Sequence, residues 1–478
     1  MKKKSSVPPA VVAAMSEARR QRQAYEGTPE TSTVWPDEYD IDWMRERYAF
    51  VLAGGTGIIV SVLPDADARD RVRFIKEGGF KAYFGNRFVS VKGPDGKFKP
   101  ISWGEAYWTS PERRTYDGLA FWPDPNNASG PDGYLNLWQG FSVSPRRGGS
   151  YAVFKDHLFT NVANGDDQLF NWIFGWFAQM LQQPREKPGT AIVLRGAMGA
   201  GKTKVGEVFG SLIKPHYYLV DDPRYITHNF NAHMASCLLL QAEEAVWAGD
   251  KSAEGRMKGL VTSDFQMIES KGVDPVRLSN FIRLLMTSNE DWVVPAGKDE
   301  RRFAVFDIQP HCAGNHQYFA EMEAELDAGG REALLADLLA FDLGKVNLRT
   351  IPKTYALLEQ KVRSLDPIET WLLDRLKDGA PTLKHDGWPE VISTHAWFDD
   401  YAEASERIGV RRKAAQTSFG MKLSKLIPGI RAERRSIPKE DAAATERIRV
   451  YVLPPLDECR RSFADLMGQR IDWGEADG

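Results

Sequence analysis

The chain has 478 residues, 42 % of them apolar, and a formal net charge of −3. That length asks for about three domains, and no stretch approaches the ~20 apolar residues that span a bilayer, so no membrane-spanning helix is expected. The cysteines Cys237, Cys312 and Cys459 lie far apart without metal-ligand spacing, which argues against a disulfide framework or a zinc site and suits a reducing cytoplasm.

Residues 1–38 are rich in Ser, Pro, Thr and charge, and Pro8 and Pro9 break their short apolar stretch. A flexible, solvated tail is expected there, not a leader peptide. From 39 to 150, runs such as "YAFVLAGGTGIIVSVL" and "KAYFGNRFVSVKG" alternate with Gly/Pro/Asn/Asp turns, which predicts a β-rich module. Its "GGTG" at 54–57 falls between two strand-like runs and reads as a hairpin turn. Residues 151–190 form a helical collar, because "DDQLFNWIFGWFAQMLQQ" (Asp166 to Gln183) has a helical apolar period that "PREKPGT" ends.

The segment 191–310 carries the chemistry. Apolar Ala191 to Leu194 predict a buried strand, and "GAMGAGKT" follows, with Gly196, Gly201, Lys202 and Thr203 in the G-x-x-x-x-G-K-[ST] pattern. "KTKVGEVFGSLI" then reads as a helix, so the backbone N–H groups of Gly196, Ala197, Met198, Gly199, Ala200, Gly201, Lys202, Thr203 and Lys204 are placed to cradle phosphates. Lys202 supplies a point charge for the β/γ oxygens, and the Thr203 hydroxyl a ligand for Mg²⁺. ATP and Mg²⁺ are the cofactors expected.

A second strand, Cys237 to Leu240, ends in Glu243 and Glu244, 42 residues beyond Lys202 at the second acid. Glu243 is the expected metal carboxylate and Glu244 the base that polarises water. A third strand, "NFIRLLMTSNE", ends in Asn289, suited to holding that water in line. Arg301 and Arg302 precede a further apolar strand, where a guanidinium can reach a neighbouring subunit's nucleotide. Between the second and third strands, apolar and polar residues alternate about a turn at Lys271-Gly272. This predicts a hairpin with Lys271 at its tip, a grip on phosphates in a ring or else an ordinary exposed hairpin.

Residues 311–362 read as helical. The last module, 363–478, opens on Asp366, Pro367 and Glu369, a capping box with Pro at the first helical position and Gly379 as stop. Helices from about His395 and from about Ala414 to Leu426 follow, then two strands, "IRAERRSI" and "ERIRVYVLP", as in a winged helix. Between Tyr401 and Val450 twelve Lys/Arg face six Asp/Glu. Arg411, Arg412, Lys413, Lys422 and Lys425 on or beside the third helix, with Arg434 and Arg435 in the wing, are candidate contacts to duplex DNA. A winged helix that docks protein is the alternative.

The order of phosphate loop, paired acids, Lys-bearing hairpin, strand-Asn and Arg-before-strand resembles the superfamily 3 helicases of phages, plasmids and small viruses. The nearest resemblance is to the primase-helicases of phages and mobile elements, related to the poxvirus-type NTPases. It is specific over about 166–310, and "WTSPERRTYDGLAFWPD" and "YLNLWQGFSVSP" extend it loosely upstream. The resemblance implies an AAA+-like P-loop NTPase core of α/β class, a hexameric ring and translocation on single-stranded DNA in a bacterial host cell. It places Lys258 and Lys271 among the DNA contacts, and position favours Arg302 over Arg301 as the arginine finger. Motif B here is Glu-Glu where Asp-Glu is also common, which leaves the division of labour between Glu243 and Glu244 open. Asp65 and Asp67 in "SVLPDAD" do not make a primase site, since no histidine precedes His157; a separate primase chain is the expected partner. Two competitors remain: an initiator ATPase that assembles on origin DNA without unwinding, and a monomeric P-loop kinase, which a finger in trans argues against.

Overall fold

The computed structural model describes residues 35–474, apart from 64–65, 67–69, 94–95, 223, 228–230, 245–250, 411 and 440–441. Asp65, Asp67, Arg411 and nearly all of the expected tail lie outside the described residues. The fold is mixed α/β, and the chain separates into two compact units, 1–49 with 77–114 and 50–76 with 115–478.

The smaller unit is built on aromatics. Asp40 caps helix Ile41–Arg47, and Ser102 caps helix Trp103–Thr109. A third helix, Glu77–Tyr83, and the antiparallel pair Phe88–Lys92 and Phe98–Ser102 complete it. Phe80, Phe84, Trp103 and Tyr107 are buried together, and the Arg87 guanidinium stacks 4.4 Å from Trp35 and 5.0 Å from Trp103. The text that predicted mostly strands therefore holds three short helices. Each is two turns long, too short to show a clear helical period against the β-branched runs around it.

Strands Tyr48–Ala53 and Thr56–Val62 are neighbours joined at Gly54-Gly55, with φ of 57° and 93°. Two successive positive φ angles make the tight hairpin turn expected of "GGTG". The collar helix runs Asp167–Gln182 with Asp166 as its cap, one residue inside the predicted span at each end.

The central sheet has five parallel strands in the order Tyr217–Val220, Leu239–Glu243, Arg283–Ser288, Ala191–Arg195, Phe303–Asp307. Its middle strands are buried throughout, as continuous apolar runs in parallel sheets require. Sequence order and sheet order differ here. The strand leading to Asn289 lies between the strand of the glycine-rich loop and the strand of the paired acids.

At the C-terminal end, helices Pro367–Asp378, Thr394–Arg407 and Gln416–Leu426 pack on a three-stranded antiparallel sheet. Trp371, Trp397, Tyr401 and Phe419 form its core, with Tyr401 stacked on Phe419 at 5.0 Å. The capping box of Asp366 and Glu369 is formed, and Gly379 ends the helix in the left-handed region. Two elements had no counterpart in the reading of the sequence. They are the three-residue strand Val391–Ser393 and the closing helix Leu456–Met467, whose Cys459, Phe463 and Met467 are buried. Among the described residues no helix is long and apolar enough to cross a membrane.

Candidate active site

Strand Ala191–Arg195 delivers the loop Gly196–Gly201 to the N-terminus of helix Lys202–Ser211. Gly196, Gly199 and Gly201 have φ of 155°, 75° and 88°. At Gly201 a side chain would also collide, since a Cβ there would stand 2.6 Å from the His157 ring and 2.9 Å from Phe319. Glycine at 201 thus answers both the left-handed backbone and the close packing of His157 and Phe319 against the loop.

Lys202 is buried, and its ammonium donates to Gly196 O and Ala197 O, each at 2.7 Å, and to Asn289 Oδ1 at 2.6 Å. These bonds use all three of its donors. Burial pushes its pKa below the usual lysine value, against the opposing pull of Glu243 and Glu244. The Thr203 hydroxyl donates to Glu243 Oε1, and Asn289 Nδ2 donates to Glu244 Oε1 at 3.1 Å. Two sets of contacts, Thr203 with Glu243 and Lys202 with Asn289 and Glu244, therefore lie side by side at the C-terminal edge of the sheet. These residues line a cavity of about 290 Å³ with Gly199, Gly201 and Phe319. Glu244 has φ of 47°, rare for a residue with a side chain. Such backbone strain costs about 1–3 kcal/mol and is held by surrounding structure, here a bond from Glu244 N–H to Thr287 O at 2.9 Å.

The residues fit a nucleoside triphosphate with Mg²⁺: a glycine-rich loop at a helix N-terminus, a buried ammonium beside it, and a hydroxyl–carboxylate pair lining the same cavity. Of the remaining loop residues, Ala200 is buried and Met198 is exposed. Lys204 instead pairs with Glu207 at 2.7 Å and Glu323 at 3.1 Å.

Sequence reasoning missed what lies beneath the loop. His157 sits in a wider, π-type helical turn, fully buried against Gly201. Its Nδ1 meets Asn161 Nδ2 at 3.1 Å, while Nε2 has no hydrogen-bond partner of good geometry among the described residues. Cys312 donates its thiol to Ala200 O at 3.5 Å. Burial pulls the imidazole pKa down to about 4. Nothing in the sequence pattern links a lone histidine to a glycine 44 residues on; the only hint was that the collar precedes the loop directly.

Arg301 and Arg302 stand elsewhere. Arg302 O accepts from Ala191 N–H, at the start of the loop strand, about 13 Å of strand from the loop itself. Glu300 accepts from the backbone N–H of both arginines and from Arg302 Nη1 at 3.4 Å, whereas the Arg301 side chain is exposed. Lys271 is at the tip of the hairpin formed by Phe265–Ser270 and Val273–Ser279. Lys258, on helix Lys251–Thr262, pairs with Glu254.

Among the C-terminal candidates, Lys413 pairs with Glu406, Lys422 with Asp366 and Glu369, and Arg435 with Glu433. Arg412, Lys425 and Arg434 are exposed and have no ion pair among the described residues. The structure thus gathers the loop, acid and Asn residues at one cavity, and distributes the candidate DNA contacts over separate surfaces.

Residues 194–302 match a family described as being of unknown function (DUF5906). No curated protein matches the sequence. Among solved structures, the apo form of the NrS-1 C-terminal region (305–718) is similar at a TM-score of 0.59 and 16 % identity, covering 87 % of this chain and 100 % of that one. A second form of the same region has a TM-score of 0.60 at 15 % identity, covering 86 % and 98 %. At these identities the likeness is one of fold.

Proposed function

We propose that the chain is an ATP-dependent, ring-forming DNA helicase or translocase that acts in replication of a phage, plasmid or mobile element. The observation that carries this reading is the bridge by which Asn289 joins Lys202 to Glu244 at the glycine-rich loop. Three residues from three adjacent strand ends converge on the position of a terminal phosphate and its attacking water.

In this reading Lys202 leaves loop carbonyls for the β/γ oxygens when nucleotide enters. Thr203 Oγ1 and Glu243 would hold Mg²⁺, which would neutralise phosphate charge when bound. Glu244, held by Asn289, accepts a proton from the water and fixes its direction. Glu244 lines the cavity from a left-handed backbone, φ 47°. The separation of Arg302 from its own loop supports action on a neighbour's nucleotide, where a finger in trans stabilises developing charge.

ATP hydrolysis measured across protein concentration, with and without single-stranded DNA, tests the proposal. Turnover that rises cooperatively, responds to DNA and is lost in Arg302→Ala is expected. Turnover indifferent to all three would leave an ATPase without a translocase. The exposed, unpaired Arg412, Lys425 and Arg434 support a second reading, an initiator that binds duplex origin DNA without unwinding, which strand-displacement assays separate from the first.

A further inference from the structure

The Lys271 hairpin has two faces. Ile268 and Leu278 point inward and are buried, whereas Phe265, Met267 and Arg277 point outward. At the base of the outward face lies a cavity of about 280 Å³, closed on its other side by strands Gly118–Ala120 and Tyr134–Asn136. Phe121, Trp122, Tyr134, Phe265, Arg277 and Ser279 are among its lining residues. Phe121 is fully buried, while Tyr134 is 44 % and Phe265 50 % exposed. Two large rings thus stand half-exposed on either side of one open cavity.

The polar groups define what kind. The Arg277 guanidinium lies 3.8 Å from the centre of the Phe265 ring, and no carboxylate pairs with it among the described residues. Its N–H edges are therefore free to donate. Trp122, by contrast, is already covered by Arg185 at 4.3 Å, and that guanidinium is engaged by Asp124 at 3.0 Å. At the tip, about 20 Å along the strand from Phe265, a Cβ on Gly272 would stand 3.0 Å from Lys76 Nζ, so a second ammonium lies beside Lys271. The nearby acid, Asp274, is occupied by the Thr56 hydroxyl at 3.1 Å.

We infer that this cavity is a base-binding pocket for single-stranded DNA, in which an unpaired nucleobase stacks on Tyr134 and on the Arg277 guanidinium that the Phe265 ring supports, while the lysines at the hairpin tip hold the phosphates that follow. Aromatic faces accept any base and cations track the backbone, which is the physical basis of sequence-tolerant strand binding. The inference rests on the proposed translocase reading and adds a gripping point on bases to one on phosphates. A strand held by both is held in a fixed register against the hairpin.

The test uses the full chain with a dT20 oligonucleotide and a 20-unit abasic strand of the same charge. Wild type should bind dT20 more tightly than the abasic strand. Phe265→Ala and Tyr134→Ala should each weaken dT20 binding about tenfold and leave abasic binding unchanged, whereas Lys271→Glu should weaken both. An iodouracil-substituted strand should cross-link to Phe265 or Tyr134. Lys271-dependent binding that ignores both ring variants, or cross-links confined to other regions, would overturn the pocket and leave the translocase reading standing. Absence of any single-strand binding by wild type would overturn both. The two ring variants lie on an exposed face, and unchanged thermal melting will show that they fold.

Discussion

Lys202 and Asn289, 87 residues apart in sequence, are joined directly, Nζ donating to Oδ1 at 2.6 Å. The same amide donates from its nitrogen to Glu244, so one side chain fixes an ammonium and a carboxylate together. Asn289→Ala removes both bonds. We expect turnover to fall about 100-fold, as for loss of a preorganised catalytic donor, with nucleotide affinity changed only a few-fold. Steady-state hydrolysis beside titration of a fluorescent ATP analogue separates the two.

Glu244→Gln keeps the size of the side chain and removes its basicity. Turnover should drop by a factor of about 100 or more, and nucleotide should stay bound through gel filtration. Normal turnover in this variant would sink the assignment of Glu244 as the base.

Thr203 and Glu243 meet in the cavity beside the glycine-rich loop. Thr203→Val retains the shape without the hydroxyl and should raise the Mg²⁺ concentration for half-maximal hydrolysis about tenfold. Chelation with EDTA should abolish hydrolysis by the wild type. A metal requirement unaltered in the valine variant would remove Thr203 from the metal's shell.

The position of Arg302 at the far end of its own strand makes a mixing experiment decisive. Arg302→Ala should lower turnover about 1,000-fold while preserving ATP binding. Adding Lys202→Ala subunits, which keep their arginines, should restore part of the activity. If mixing restores nothing and Arg301→Ala alone is inactive, the exposed Arg301 is the finger instead.

His157 gives a dependence on acid. Its folded pKa of about 4 lies below the unfolded value of ~6.5. Between these values the unfolded chain binds the extra proton, so stability falls as pH drops through that window and is unaffected by this group above it. The shift corresponds to on the order of 3 kcal/mol. His157→Gln should show a shallower fall in melting temperature than wild type between pH 6.5 and 4.5, and an identical fall would refute the assignment.

Local text was readable where one physical preference dominated. The capping box at Asp366 and Glu369, the turn at Gly54-Gly55 and the hairpin about Lys271-Gly272 each depend on residues adjacent in sequence, and their elements appear as expected. Sheet order was not readable. No periodicity says that the Asn289 strand inserts between its two predecessors, yet that insertion brings Asn289 to Lys202 and Glu244 together. Charge was legible as composition but not as pairing: Lys258, Lys413 and Lys422 are engaged by carboxylates, one of them supplied from another helix. The exposed rings of Phe265 and Tyr134 were equally hidden, because a strand's outward face is fixed by its register and neighbours.

Glu369 does more than complete a helix cap. Its side chain is almost fully enclosed and receives Lys298 from the segment leading to Arg301 and Arg302, and Lys422 at 2.5 Å from the helix Gln416–Leu426. Glu369 is enclosed while both lysines keep part of their side chains in solvent, so each pair is worth less than a fully buried one. One carboxylate thus ties the helix Gln416–Leu426 of the C-terminal module to the segment that leads into Arg301 and Arg302.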